Sequence, residues 1–147
     1  MRVTRYTDYG LRVLMYLALQ GQRRSTIREI SEAFGISRNH LMKVVQQLAA
    51  LGYVNAVRGV GGGLLLARPP GQVRLGEVLV DMEPDLGLVE CMRPEGTCVI
   101  SPVCRLSGAL DEALKSFVDT LNRHTLADLV EPAVADRLRL LLKVDSG

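Results

Sequence analysis

Residues 26–54 read TIREISEAFGISRNHLMKVVQQLAALGYV, and how they fold decides the architecture of the whole chain. Ile27, Ile30, Ala33 and Phe34 fall at helical spacing and predict a short amphipathic helix. Gly35 supplies the residue a tight turn can place at positive φ, Ile36 is a buried plug, and Ser37 is a good N-cap for a second helix. That helix is expected from about Arg38 to Leu51. Its inward stripe is Leu41, Val44, Val45 and Leu48, which leaves Asn39, Met42, Lys43 and Gln46 facing outward. Helix, short glycine turn and a second helix with a polar outer face is the helix-turn-helix arrangement, in which the second helix enters the DNA major groove by its amino-terminal residues. Arg38, Asn39, His40 and Lys43 are the candidate contacts. Arg and Asn can make bidentate contacts to base edges, and Lys serves phosphate as readily as base.

A helical hairpin with a solvated face would show the same two patterns, and the sequence downstream separates the readings. Tyr53 to Val57 is strand-like, RGVGGG is a flexible turn, and Leu64 to Arg68 is a second strand ended by Pro69-Pro70. A β-hairpin directly after a recognition helix is a wing. Arg58 at its base and Arg68 at its exit are expected along a phosphate backbone. The glycines do not make a nucleotide cradle: no Lys-Ser/Thr follows them, and Leu64 stands where a dinucleotide fingerprint needs its last glycine. There is no nucleophile elbow and no paired carboxylates at a catalytic spacing, and the two histidines, His40 and His124, stand far apart, so no enzyme is expected.

Upstream, eight of the nine residues from Leu11 to Leu19 are apolar, more than one core face can use. At helical spacing Tyr6, Gly10, Val13, Leu14 and Leu17 form one stripe, and Asp8, Leu11, Met15 and Leu19 a second. A helix apolar on two sides is covered on two sides, by its own domain and by another subunit. The apolar stretch contains Arg12 and is far short of a membrane span, and MRVTRYTDYG does not resemble a secretory signal, so a cytoplasmic location with reduced thiols is expected. The net charge of +2 conceals an asymmetry: residues 1–68 hold ten Lys or Arg against three Asp or Glu, and residues 69–147 hold eight against thirteen. The basic half suits a polyanion; the acidic, leucine-rich half suits scaffold, sensing or oligomerisation.

RLGEVLVDMEP predicts a short helix from about Leu75 to Met82, ended by Pro84. A loop from about Asp85 to Ile100 comes next. Ser101-Pro102 then predicts the restart of a helix, with apolar residues at Leu106, Leu110, Ala113, Leu114, Phe117, Val118 and Leu121. So wide a stripe exceeds what a small winged-helix core can cover, and pairing with the same helix of a second subunit is the expected solution. TLADLVEP adds a short capped helix, and Val134 to Val144 a last segment. All three cysteines, Cys91, Cys98 and Cys104, lie in CMRPEGTCVISPVCRL, with Cys104 expected in the first turn of the long helix, where the macrodipole favours a thiolate. Unrelated structural cysteines, a disulfide switch, zinc and an iron–sulfur cluster compete for them. The cluster, with three thiolates and one outside ligand, suits the odd count best.

TDYGLRVLMYLA, ISRNHLMKVVQQL, GYVNAVRG, the three-cysteine loop with SPVCRL, and TLADLV together resemble the iron–sulfur winged-helix regulators, closest to their nitric-oxide-sensing branch. The resemblance covers almost the whole chain. It implies a mainly α fold with a small β-hairpin, a winged helix-turn-helix plus a long dimerisation helix. The expected division is 1–70 for DNA binding, 71–104 for a short helix and the cluster loop, and 105–147 for the dimerisation helix and C-terminal segment. It further implies a homodimeric repressor on a palindromic double-stranded operator, with nitric oxide as signal. The iron–sulfur cluster, [4Fe-4S] favoured and [2Fe-2S] possible, would be held by Cys91, Cys98 and Cys104 with Asp8 of the partner subunit. A regulator of the same fold that answers to cluster supply or redox state is the alternative. One position departs from the pattern: where the family's wing commonly carries Arg after its glycines, this chain has Leu65, which bears on how the wing touches DNA.

Overall fold

The structure, a computed structural model, describes residues 1–145. Helix α1 spans Arg5–Gln20; Thr4 opens it by accepting a hydrogen bond from the Thr7 amide, and Gly21 closes it. Helix α2, Ile27–Phe34, begins in a capping box in which Thr26 and Glu29 satisfy each other's backbone N–H groups. It ends at Gly35, whose φ of 66° lies in the left-handed region that glycine enters without a Cβ penalty. Helix α3, Arg38–Ala50, is opened by Ser37 accepting from the His40 amide.

Strands β1 (Val54–Val57) and β2 (Gly63–Leu66) pair antiparallel, with Val54 opposite Leu66 and Val57 opposite Gly63. Two further backbone bonds join Ser25 to Leu64, at 3.1 and 2.7 Å, so the hairpin is sewn to the turn before α2. Helix α4 lies at Leu75–Met82, then α5 at Leu106–Asn122, α6 at Leu126–Leu129 and α7 at Pro132–Leu142.

The core gathers Val13, Leu14 and Leu17 from α1 with Ile30, Ile36, Leu41, Val44, Leu48, Tyr53, Leu64, Val78, Met82 and Leu126. Each large side chain fully removed from water contributes about 1.5–3 kcal/mol, so this cluster dominates the stability of the fold. Helix α1 runs through its middle, packed on α3 on one side and α4 on the other. Where α4 meets α5, a Cβ on Gly76 would lie 2.6 Å from the Val118 carbonyl oxygen, so the two helices cross in near-backbone contact. No described helix is long and apolar enough to cross a membrane.

The mainly helical winged arrangement is the one the sequence predicts, and α4 has the expected bounds. Three expectations need correction. The long helix does not restart at Ser101. Residues 101–103 form turns that spend the Cys98 and Ile100 carbonyls on i+3 bonds, and the first helical residue is Leu106. Cys104 therefore precedes the helix instead of occupying its first turn. The second stripe of α1 is also partly used inside the chain: Leu19 is buried, and Arg139 of α7 donates to its carbonyl at 3.3 Å. Asp8, Leu11 and Met15 stay half-buried. The second strand stops at Leu66, two residues before the expected Arg68.

Candidate functional site

Between the outer face of α3 and the hairpin lies a groove walled by Thr26, Asn39, Met42, Lys43 and Gln46 on the helical side and by Val57, Arg58 and Gly59 on the wing side. The inward stripe of α3 is buried, as its spacing requires, and this forces Asn39, Met42, Lys43 and Gln46 into solvent. Asn39, Lys43 and Arg58 are thus brought together. Arg38 and His40 are exposed on the first turn of α3 but are not among the groove walls.

Arg68 is placed elsewhere. Its guanidinium lies over the Tyr53 ring, 4.3 Å from the centroid, beside a depression shared with Gly76, Asp81 and Asn122. The Tyr53 hydroxyl donates to Asp81 at 2.6 Å. Burial, and secondarily that carboxylate, push the Tyr53 phenol up to about 12. Leu65 alternates with the buried Leu64 and lines a separate depression with Gln22 and Pro69. The sequence reading missed Arg24, which donates to the Gly61 carbonyl at 2.5 Å and steadies the wing tip, leaving Val60 fully exposed there. Only the tertiary proximity of residues 37 apart reveals that bond.

Asp8 stands in the first turn of α1, where Arg12, one turn on, grips it twice, at 2.8 and 3.2 Å. Both side chains are a little under half exposed. The same guanidinium lies 5.9 Å from the Tyr9 and Phe34 ring centroids, and Tyr9 in turn faces the His40 ring at 6.3 Å. The Tyr6 hydroxyl donates to the Lys43 carbonyl at 2.9 Å. Helix α1 is therefore tied directly to the amino-terminal half of α3.

The cysteine loop is braced by its own polar groups. Asp85 accepts from the Gly87 amide at 2.8 Å and from Arg93 at 2.6 Å, and these bonds hold its carboxyl below the usual range. Glu90 accepts from the Thr97 amide and hydroxyl, at 3.2 and 2.9 Å, with the same effect. A Cβ on Gly96 would meet the Glu90 carbonyl at 2.6 Å and the Cys91 Cα at 3.0 Å, so this glycine lets the loop fold back beside Cys91. Cys91 and Cys104 are half-buried, Cys98 is exposed, and all three are free thiols. Among the described residues, no three His, Cys, Asp or Glu side chains converge closely enough to hold a metal ion. In kind the donors fit an iron–sulfur cluster, being soft, unpaired and confined to one loop. In this conformation they are not gathered.

A solvent-facing helix in a helix-turn-helix, a β-wing beside it and a basic groove between them define a winged-helix DNA-binding regulator. The model of the Rrf2 family, described as iron-dependent transcriptional regulators, matches residues 3–132. Over 149 aligned residues, covering both chains completely, the sequence is 46% identical to the HTH-type transcriptional regulator NsrR of Geobacillus kaustophilus (strain HTA426). Among solved structures it is similar to T. potens IscR, at 25% identity with a TM-score of 0.71 over 90% of this chain and 88% of that one. The oxidized form of Staphylococcus aureus CymR shares the fold at 23% identity and a TM-score of 0.70, over 89% of this chain and 97% of the other. The chain belongs to the Rrf2 family: it is a transcriptional regulator and not an enzyme.

Proposed function

We propose that this protein is a cytoplasmic homodimeric repressor that grips a palindromic operator and releases it in response to nitric oxide, through an iron–sulfur cluster on the cysteine loop. The observation that carries the reading is the full-length likeness to NsrR in a chain whose three thiols are all free and confined to one exposed loop. Cys91, Cys98 and Cys104 would hold the cluster, with Asp8 of the partner subunit as fourth ligand and [4Fe-4S] favoured over [2Fe-2S]. When bound, the cluster supplies iron that nitric oxide can attack, most readily at a position held by a hard carboxylate among soft thiolates.

The chain's own residues supply the rest. Residues 1–70 read DNA: Asn39 a base edge, Lys43 and Arg58 the phosphates, with Arg38 and His40 exposed on the first turn of the same helix. Arg68, stacked on Tyr53, serves the wing base before it serves phosphate. Residues 71–104 form the sensing segment, and residues 105–147 hold the two subunits together. The last two residues of that region lie outside the described ones. Helix α5 supports this role with Leu106 and Phe117 exposed and no residue fully buried. Arg12 neutralises Asp8 on α1, and α1 is bonded to α3 through Tyr6, so a change at Asp8 acts on the helix that supports the recognition helix.

Protein purified without oxygen should bind operator far better than random DNA at one fixed salt concentration. Nitric oxide should abolish the difference. Unchanged operator affinity after nitric oxide would sink the sensing claim, and native mass spectrometry of the same sample reads cluster mass and dimer state together.

A further inference from the structure

The residues just before the cysteine loop grip the DNA-binding half at three places. Asp81 takes the Tyr53 hydroxyl at the base of the wing. Met82, 2% exposed, fills the space over Gly10, where a Cβ on α1 would run into its sulfur and approach Leu48 of α3 to 3.9 Å. Glu83 reaches the start of α1: one carboxylate oxygen accepts both the Thr4 amide, at 2.7 Å, and the Thr4 hydroxyl, at 2.9 Å. Thr4 is the N-cap of α1, and its own hydroxyl accepts from the Thr7 amide.

We propose that Glu83 is a positioning residue for operator binding: by holding the cap of α1 it fixes the entrance of the cysteine loop to the helix that steadies the recognition helix. It rests on the proposed sensing function only in its claim that the loop's state is what reaches α1.

The physical case is one of geometry and charge. An ionised acceptor with two short hydrogen bonds is among the stronger polar contacts, and here both donors belong to one residue at a helix terminus, where a negative charge also complements the macrodipole. The link is long in sequence, 79 residues, so nothing local replaces it. From Thr4 the rigid turn leads in two residues to Tyr6, whose hydroxyl holds the Lys43 carbonyl on α3. Pro84 succeeds Glu83 at once, and no described residue from there to Thr125 is buried. Glu83 is thus the last firm hold before the loop, and displacement of the loop is transmitted to α1 through it.

The test compares Glu83→Ala, Glu83→Gln and Thr4→Ala in the full chain. Operator and random-DNA affinities are measured with and without cluster, together with hydrogen exchange of the cluster-free protein. Glu83→Ala should lower operator affinity about tenfold relative to random DNA, the usual size of an intersite coupling. It should also speed amide exchange in residues 4–8 and 38–43. Glu83→Gln keeps an oxygen acceptor but loses the charge that strengthens both bonds, so it should fall between the parent and Glu83→Ala. Thr4→Ala should weaken operator binding in the same direction, and combining it with Glu83→Ala should add little, as expected of partners in one contact. Unchanged affinity and exchange in Glu83→Ala would overturn the proposal, and so would equal loss in the Ala and Gln variants. If Glu83→Ala fails to fold, Glu83→Gln and Thr4→Ala decide by the same two readouts. If the parent binds operator equally with and without cluster, the sensing reading fails, while the variants still decide whether Glu83 positions α1.

Discussion

From α1 to Met82 almost every element contributes a fully buried side chain, whereas no residue between Glu83 and Thr125 is buried. The first region closes a core from its own sequence. The second holds its shape with exposed polar contacts, Asp85 to Arg93 and Glu90 to Thr97, and leaves Val99, Ile100, Val103 and Leu106 in solvent. Exposed ion pairs contribute little, about 0–1 kcal/mol each. The contrast teaches where each region finds its stability: the first in a closed core, the second in the packing of α5 on α4 and in polar contacts at the surface. A recognition surface needs fixed geometry, and a switch needs a segment whose order depends on its ligand.

The comparison can be broken most directly at Leu48, which has no exposure. Leu48→Ala should cost about 2–5 kcal/mol, read from the urea midpoint; a loss below about 1 kcal/mol would mean that the first region is not the source of stability. Next in size, Phe117→Asp on α5 should leave the helical circular dichroism intact, yet give a monomer in sedimentation and a weaker operator complex. Unfolding of that variant would show that Phe117 belongs to the fold of one chain and not to a surface between two.

Asn39→Ala should cost about 1–3 kcal/mol on operator with little change on random DNA, whereas Lys43→Ala should weaken both and lower the salt slope by about one. Tyr53→Phe removes one part-buried hydrogen bond and should cost about 1 kcal/mol. The folded Tyr53 phenol is raised from 10.0 to about 12, so its contribution is complete below pH 10 and is lost as pH rises from 10 toward 12. The Phe variant should lack this alkaline fall in melting temperature. Smallest of all, Cys98→Ala should change the stability of cluster-free protein by no more than about 0.5 kcal/mol, as for most exposed positions, while cluster absorbance is lost. A large change in the cluster-free protein would show the thiol to be structural.

Much of the first region was legible because burial there obeys helical spacing. Leu41, Val44, Val45 and Leu48 are buried as predicted, and Gly35 and Ser37 mark the turn and the cap. The wing was legible from its glycines, though Arg68 was not: its stacking on Tyr53 is a tertiary contact that no spacing along a strand reveals. In the second region, spacing had less to work on. Ser101-Pro102 looks like a helix start, yet tight turns at the Cys98 and Ile100 carbonyls delay the helix to Leu106. The pairing of Asp8 with Arg12 went unread in the sequence, although it is an i,i+4 contact. The hold of Glu83 on Thr4 was not, since no local pattern joins residues so distant.

Gly76 carries a consequence for the length scale of DNA recognition. In a two-fold dimer joined through α5, the angle at which α5 leaves α4 fixes how far apart the two recognition helices stand. Half-sites read by such dimers lie roughly 34–36 Å apart, one turn of the double helix. With Val118 and Asn122 pressed against Gly76, a single added methyl would tilt that crossing. In such a dimer the spacing between operator half-sites would be set by a backbone contact that touches no DNA, and it could drift without any change in the bases each half-site prefers.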